Sequence, residues 1–244
     1  MRIIFLNSWF GKAGEPFLDF IKDESAKTDI YCLVEVSPHL YSNLSKKLPG
    51  FNGFYQKGLN SEVLKTVCGQ TIFLRKDINV EKEGKITIYR QSDEDVGFMQ
   101  FSELKVGKKT IWLGNVHGKS LPGDKLDTPV RLQQSGKIID FFAQKKGLKI
   151  IGGDFNLNPD TKSIAMFEAV GYINLIKKFD IKNTRNHLSW EQAERQSKEE
   201  GRKFFGRQHF ADYVFVSPEV KVSKFEVPYS EVSDHLPQIL EFDL

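Results

Sequence analysis

Two cysteines in 244 residues, Cys32 and Cys68, are too few for a disulfide framework, and no CxxC pair or His/Cys cluster offers a zinc site or a dithiol redox motif. Both lie in apolar surroundings and read as reduced core thiols. No apolar stretch approaches the length of a bilayer span, and the short run at residues 1–6, with its one Arg, is too brief for a signal peptide. The expectation is a soluble, cytoplasmic protein without a membrane partner. Net charge is also scarce: 35 basic against 32 acidic side chains leave +3, so no protein-wide field gathers a polyanion and any phosphate-binding surface must be local. Repeats, low-complexity tracts and linker-like stretches are missing, which favours one domain over residues 1–244.

What the chain does have is a composition with 40% hydrophobic residues and 20 Phe, enough for a large aromatic-rich core. Its organising stretch is Leu148 to Pro159. Ile150 and Ile151 have the length of a buried strand, Gly152-Gly153 would end it with a tight turn, and Asp154 and Asn156 follow, two residues apart and on one side of an extended chain. Thr161 is placed to cap a helix bearing Ile164, Phe167 and Val170.

Elsewhere, apolar runs alternate with helical spacing. Arg2–Leu6 is a strand, Pro16 starts a helix lasting to Lys27, Asp29–Val34 is a second strand tipped by Glu35, and Pro38 opens a helix through Leu48. Strand-like segments follow at 51–55, 71–74, 85–89, 98–106 and 110–116, the later ones in a meander, and a helix spans 129–144. A strand is expected at 172–176, then a polar segment at 189–208, and after it strands at 211–217, a neighbour at 220–227, and 238–242. This order argues for mixed sheets with helices outside rather than a parallel barrel.

Polar groups stand at the ends of six apolar segments: Asn7, Glu35, His117, Asp154 with Asn156, Asp212, and Asp234 with His235. Each alone fits a turn, a cap or a hydrogen-bonded structural residue. Together they exceed what turns require.

In the order Leu6-Asn7, Leu33-Val34-Glu35, Gly69 to Arg75, Asn115-Val116-His117, Gly153-Asp154-Phe155-Asn156, Asp212-Tyr213-Val214-Phe215-Val216 and Ser233-Asp234-His235-Leu236-Pro237, the sequence resembles the endonuclease/exonuclease/phosphatase family of metal-dependent phosphoesterases. The resemblance implies an α/β fold, a four-layer α/β/β/α sandwich of two mixed β-sheets flanked by helices. It also implies roles: Glu35 as principal metal ligand assisted by Asn7 and Asp234, Asp154 orienting or deprotonating water, Asn156 holding that water and phosphate oxygens, and His117 and Asp212-oriented His235 stabilising charge on phosphorus. Hard oxygen ligands of this kind suit Mg²⁺ or Mn²⁺.

The apurinic endonucleases of the family typically read Trp-Asn-Val-Asn-Gly-Leu-Arg and Gln-Glu-Thr-Lys where this chain has Asn7-Ser8-Trp9-Phe10-Gly11-Lys12 and Val34-Glu35-Val36-Ser37, and Phe210-Ala211-Asp212 stands for their Arg-Ile-Asp. The expected activity is therefore a phosphodiesterase on nucleic acid, with a phosphatase or diesterase on a small or lipid-derived phosphate, or an inactive binding module, as alternatives. Lys119, Lys125, Arg131, Arg185, Arg202, Lys203 and Arg207 are candidate phosphate contacts, Arg185 and Arg207 foremost; Trp9 is a candidate to stack on a base or sugar.

Overall fold

Strands that read as unbroken apolar runs are buried on both faces, and alternation decides which face meets what. In β1 (Arg2–Asn7) and β2 (Ile30–Val36), Ile3, Phe5, Ile30 and Cys32 join the core between two sheets, while Ile4, Leu6, Tyr31 and Leu33 turn outward. Helices α1 (Glu15–Glu24) and α2 (Pro38–Lys47) cover that outer face with Phe17, Ile21, Leu40 and Leu44. The computed structural model describes residues 1–58, 60–61 and 66–244. Its remaining elements are β3 (Phe51–Gln56), β4 (Asn60–Ser61), β5 (Thr66–Val67), β6 (Gly69–Arg75), β7 (Asn79–Ser92), β8 (Asp95–Val106), β9 (Lys109–His117), α3 (Pro129–Ala143), β10 (Leu148–Asp154), α4 (Lys162–Ala169), β11 (Ile173–Asn174), α5 (Leu175–Lys178), α6 (His187–Glu200), β12 (Asp212–Val216), β13 (Lys221–Glu226) and β14 (Gln238–Asp243).

One sheet has the order β13-β14-β1-β2-β6-β3 and the other β11-β12-β10-β9-β8-β7. The sheets are mixed because β1 runs parallel to β2 and β9 parallel to β10, while the other pairs are antiparallel. Stacked face to face with helices outside, they form the four-layer sandwich. Each parallel pair delivers the carboxyl ends of its strands to one edge, the place where α/β sheets offer ligands a crevice.

Several expectations need correction. The Gly152-Gly153 pair does not end its strand, since β10 continues to Asp154. A Cβ on Gly152 would lie 2.6 Å from the Phe5 ring, and Gly153 has φ +126 with a Cβ that would meet the Val116 carbonyl at 2.3 Å. The pair therefore lets the sheets approach and bends the strand before its acid. Thr161 precedes α4, but its hydroxyl donates to the Asn158 carbonyl; Asp127, from the preceding loop, accepts the amides of Lys162 and Ser163 instead. Val170 is 57% exposed just past the end of α4 and is no part of the core. The expected strand at 172–176 is only two residues, because Asn174 caps α5. The segment at 220–227 is no neighbour of the 211–217 strand: β13 pairs with β14, in the other sheet. The first helix stops at Glu24, short of Lys27. Among the described residues, no helix is long and apolar enough to cross a membrane.

Candidate active site

Glu35 owes its position to a bulge. Pairing of β2 with β6 slips between Val34 and Val36, so Glu35 is the extra residue, with φ +55. A bulge re-aims one side chain without ending the strand. Its carboxylate comes within 3.6 Å of His117 Nε2, at the end of β9. Asp154, in register with both His117 and Asp212, is 2% exposed. Its Oδ2 accepts a 3.0 Å hydrogen bond from Asn7 Nδ2 and lies 4.0 Å from His117 Nε2 and 3.8 Å from His235 Nε2. Its Oδ1 accepts the Asn156 amide N–H at 2.9 Å. Asn156 itself has φ +56, so it reaches the site through a left-handed turn and not from extended chain.

His235 Nδ1 donates to both oxygens of Asp212, at 2.8 and 3.0 Å. Thr184 Oγ1 accepts the amides of Ala211 and Asp212, anchoring the start of β12 beneath that pair. Asp234, one residue before His235, has Arg185 Nη2 3.9 Å from its carboxylate. Thus Asn7, Glu35, His117, Asp154, Asn156, Asp212, Asp234 and His235, from positions 7 to 235, meet at one edge of the sandwich. Asp154, Asp212 and His235 also place one potential ligand atom each within 4.8 Å of one another. Because Asp212 is already taken up by the imidazole N–H, this trio is better described as a carboxylate–histidine pair beside a second acid.

Electrostatics separates the acids. Burial pushes the Glu35 carboxyl up, Asp234 pushes it further, and His117, His235 and the Asn7 amide only partly compensate. Burial acts on Asp154 in the same sense, yet His235, Lys125, His117 and Asn7 outweigh it and hold that carboxyl below its usual range. Burial also raises Asp212, against the pull of His235. For His235, burial favours the neutral ring, but Asp212, Asp234 and Asp154 together push its pKa up to about 9. The imidazolium is thus the form this pocket holds at neutral pH.

Glu35, Asp154, Asn156, Asp234 and His235 line a cleft of about 1760 Å³. Trp190, Gln192, Arg202, Lys203 and Phe205 line it from α6 and the segment after, and Asp93, Glu94 and Asp95 line it from the β7–β8 turn. Trp9 lines the cleft beside the floor and donates its indole N–H to Gln192 at 2.8 Å. Arg185 also lines it. Arg207 does not: it is exposed, with its guanidinium 5.5 Å from the Trp190 ring centre. Lys119 and Lys125 are buried, Lys119 paired with Asp95 and Lys125 donating to Asn156 Oδ1. Arg131 is 0% exposed and binds backbone carbonyls, so it is no surface phosphate contact. Cys68 leaves the core as well, with Sγ 3.9 Å from His117 Nδ1. Sequence reasoning missed Thr184 and the Arg131 pin; nothing in their local patterns marks either one.

The sequence model of the endonuclease/exonuclease/phosphatase family matches residues 4–235. No curated protein matches the chain significantly. Among solved structures, truncated TDP2 of Caenorhabditis elegans is 21% identical with a TM-score of 0.66, covering 99% of this chain and 96% of that one. The catalytic domain of human Nocturnin with bound sulfate is 17% identical with a TM-score of 0.72, covering 100% and 93%. A mannosyl-6-phosphatase of Bacteroides thetaiotaomicron is 17% identical with a TM-score of 0.71, covering 100% of both chains. At these identities the likeness is one of fold.

Proposed function

Since the chain belongs to the endonuclease/exonuclease/phosphatase family, whose members are phosphoester hydrolases that usually depend on a metal, we propose that it is a Mg²⁺- or Mn²⁺-dependent phosphodiesterase acting on nucleic acid. The observation that carries this reading is the meeting of Glu35, Asp154 and His235, which line one cleft, with His117 and Asp212, which contact them.

The donor set fits a hard divalent cation. Burial and Asp234 raise Glu35 together, so two acids share a place with too little positive charge between them; oxygen donors in that condition suit Mg²⁺ or Mn²⁺. Glu35 would be the principal ligand with Asp234 beside it. Asn7 would assist through water, because its amide nitrogen is turned to Asp154 while its oxygen accepts the Trp9 amide. Once bound, the ion would neutralise phosphate charge and polarise the ester.

The remaining steps belong to the protein. Asp154, held ionised, accepts a hydrogen bond from the attacking water and aligns it on phosphorus. As the new P–O bond forms and the ester P–O bond breaks, the water proton passes through Asp154 to solvent, and the departing ester oxygen, which carries off the bonding pair, takes a proton from solvent. Negative charge growing on the phosphoryl oxygens meets the His235 imidazolium, which Asp212 orients, together with His117 and the Asn156 amide. Arg185 supplies a further positive group at the floor, and Trp9 offers a ring face to a base or sugar.

Aromatic and cationic groups on the α6 wall favour a nucleotide-bearing substrate. The acidic β7–β8 turn in the same cleft favours a second reading, a phosphatase or diesterase on a small phosphate ester, and the mannosyl-6-phosphatase likeness has the same direction. Turnover of single- and double-stranded DNA, RNA, a 5′-tyrosyl adduct and simple phosphate esters with Mg²⁺ and Mn²⁺ distinguishes the two. A polynucleotide substrate should show kcat/KM falling steeply with salt. Efficient hydrolysis of sugar phosphates alone, with a shallow salt slope, would replace the first reading by the second.

A further inference from the structure

Lys125 is 6% exposed and lines the cleft, and beyond the charge it lends to keeping Asp154 ionised it has no role assigned above. Its ammonium donates to Asn156 Oδ1. An ammonium has donors only, so the side of the Asn156 amide that faces it must be the oxygen. The amide nitrogen then points the other way, where it donates to the Gly118 carbonyl at 3.2 Å, and one N–H remains for a ligand in the cleft that Asn156 lines. Without the lysine, only the 3.2 Å contact to the Gly118 carbonyl would hold the amide in this orientation.

The backbone is built around this contact. Lys125 has φ +56, an uncommon conformation for a residue with a long side chain. Its carbonyl accepts the Asn158 amide at 2.8 Å, the Asp124 carbonyl accepts Asn158 Nδ2 at 3.1 Å, and Arg131 holds the Leu126 carbonyl at 2.7 Å. The turn carrying Lys125 and the turn carrying Asn156 are therefore tied at two points, with Arg131 of α3 holding the first turn from the other side of Lys125, which fixes the ammonium over the amide.

We propose that Lys125 is a positioning residue of this site, holding the Asn156 amide so that an N–H, and not the carbonyl oxygen, faces the phosphoryl group. The proposal rests on the phosphoester reading of the site. An N–H aimed at developing negative charge strengthens in the transition state, so its loss appears in kcat more than in KM.

The test is a double-mutant cycle with K125M and N156A on the best substrate of the panel, alongside K125R. K125M should lower kcat by about 30-fold with KM within about threefold, and the double variant should be no slower than N156A alone, because both changes remove one interaction. K125R, which keeps a donor-only cation, should recover part of the loss. Wild-type kcat in K125M, or a full K125M loss persisting in the N156A background, overturns the proposal. A second readout needs no activity: the Asn156 side-chain amide pair in ¹⁵N spectra, assigned by its absence in N156A, should move in folded K125M and stay near its wild-type position in K125R. An unmoved pair overturns the proposal too. If wild-type protein hydrolyses no phosphoester at all, the functional reading fails while the amide signals still decide the role of Lys125. Should K125M not fold, K125Q takes its place in the same cycle.

Discussion

Replacing Arg131 by Met removes a guanidinium that holds the loop bordering the cleft. It donates to the carbonyls of Lys119, Ser120, Pro122 and Leu126 and pairs with Asp124 at 3.3 Å, with no exposure to solvent. Met keeps most of the stem, so the loss is chiefly the polar contacts. Four carbonyls deprived of partners at about 1 kcal/mol each give a destabilisation of about 4 kcal/mol, in the range found when a buried ionic partner is deleted. For 244 residues, an unfolding entropy of about 2.1 cal/mol/K per residue makes that a fall in Tm of roughly 8 °C. Scanning calorimetry and urea unfolding at pH 7 measure it directly. Lys at this position keeps the charge but has one nitrogen where the fork had three, so it should recover less than half of the loss. A Tm within about 2 °C of wild type for R131M, or full recovery by R131K, would refute the claim that this fork holds the loop.

Two other perturbations follow from the charges. His235 has a pKa near 9 in the folded chain and about 6.5 when unfolded, so its charge stabilises the fold in full below the lower value and ceases to do so as pH rises through the higher. In chelator, wild-type urea midpoints should fall between pH 6.5 and 9.5 while H235Q stays flatter; equal slopes would mean that the imidazolium is not held by Asp212. Glu35 has the same sign of pH dependence for the opposite reason, since there the folded state disfavours the charged form. Its raised pKa makes ionisation a cost to the folded state as pH climbs past the unfolded value, so metal-free E35Q should be at least as stable as wild type at pH 8, although its turnover with metal restored is impaired. A marked drop in Tm for E35Q would show that Glu35 supports the fold rather than the site.

Much of the sandwich is legible because its strands carry the signal twice, as unbroken apolar runs and as turn residues at their ends. Ile3 to Leu6 and Ile30 to Val34 need no tertiary knowledge to be read as buried strands. The polar strand tips are legible for the same reason, since Asn7, His117 and Asp154 each end an apolar run. What stays hidden depends on partners distant in sequence. The Glu35 bulge is visible only as slipped pairing with β6. Asp127 caps a helix that begins 35 residues on, displacing the local candidate Thr161. Arg131, Lys119 and Lys125 look like surface cations in a polar stretch, and their burial follows from a loop folding over them. The sheet assignment of β13 is likewise set by pairing across the molecule, which neighbouring sequence does not encode.

The central claim is that Glu35 and its companions hold a divalent ion beside a phosphate. Stripping the protein of metal and titrating Mg²⁺ and Mn²⁺ back, with turnover of the best phosphoester followed in wild type and E35Q, tests it most directly. The account predicts no turnover in chelator, saturable recovery for wild type, and recovery for E35Q only at far higher metal concentration and lower rate. Full turnover in excess chelator, or identical metal dependence in the two proteins, would contradict it.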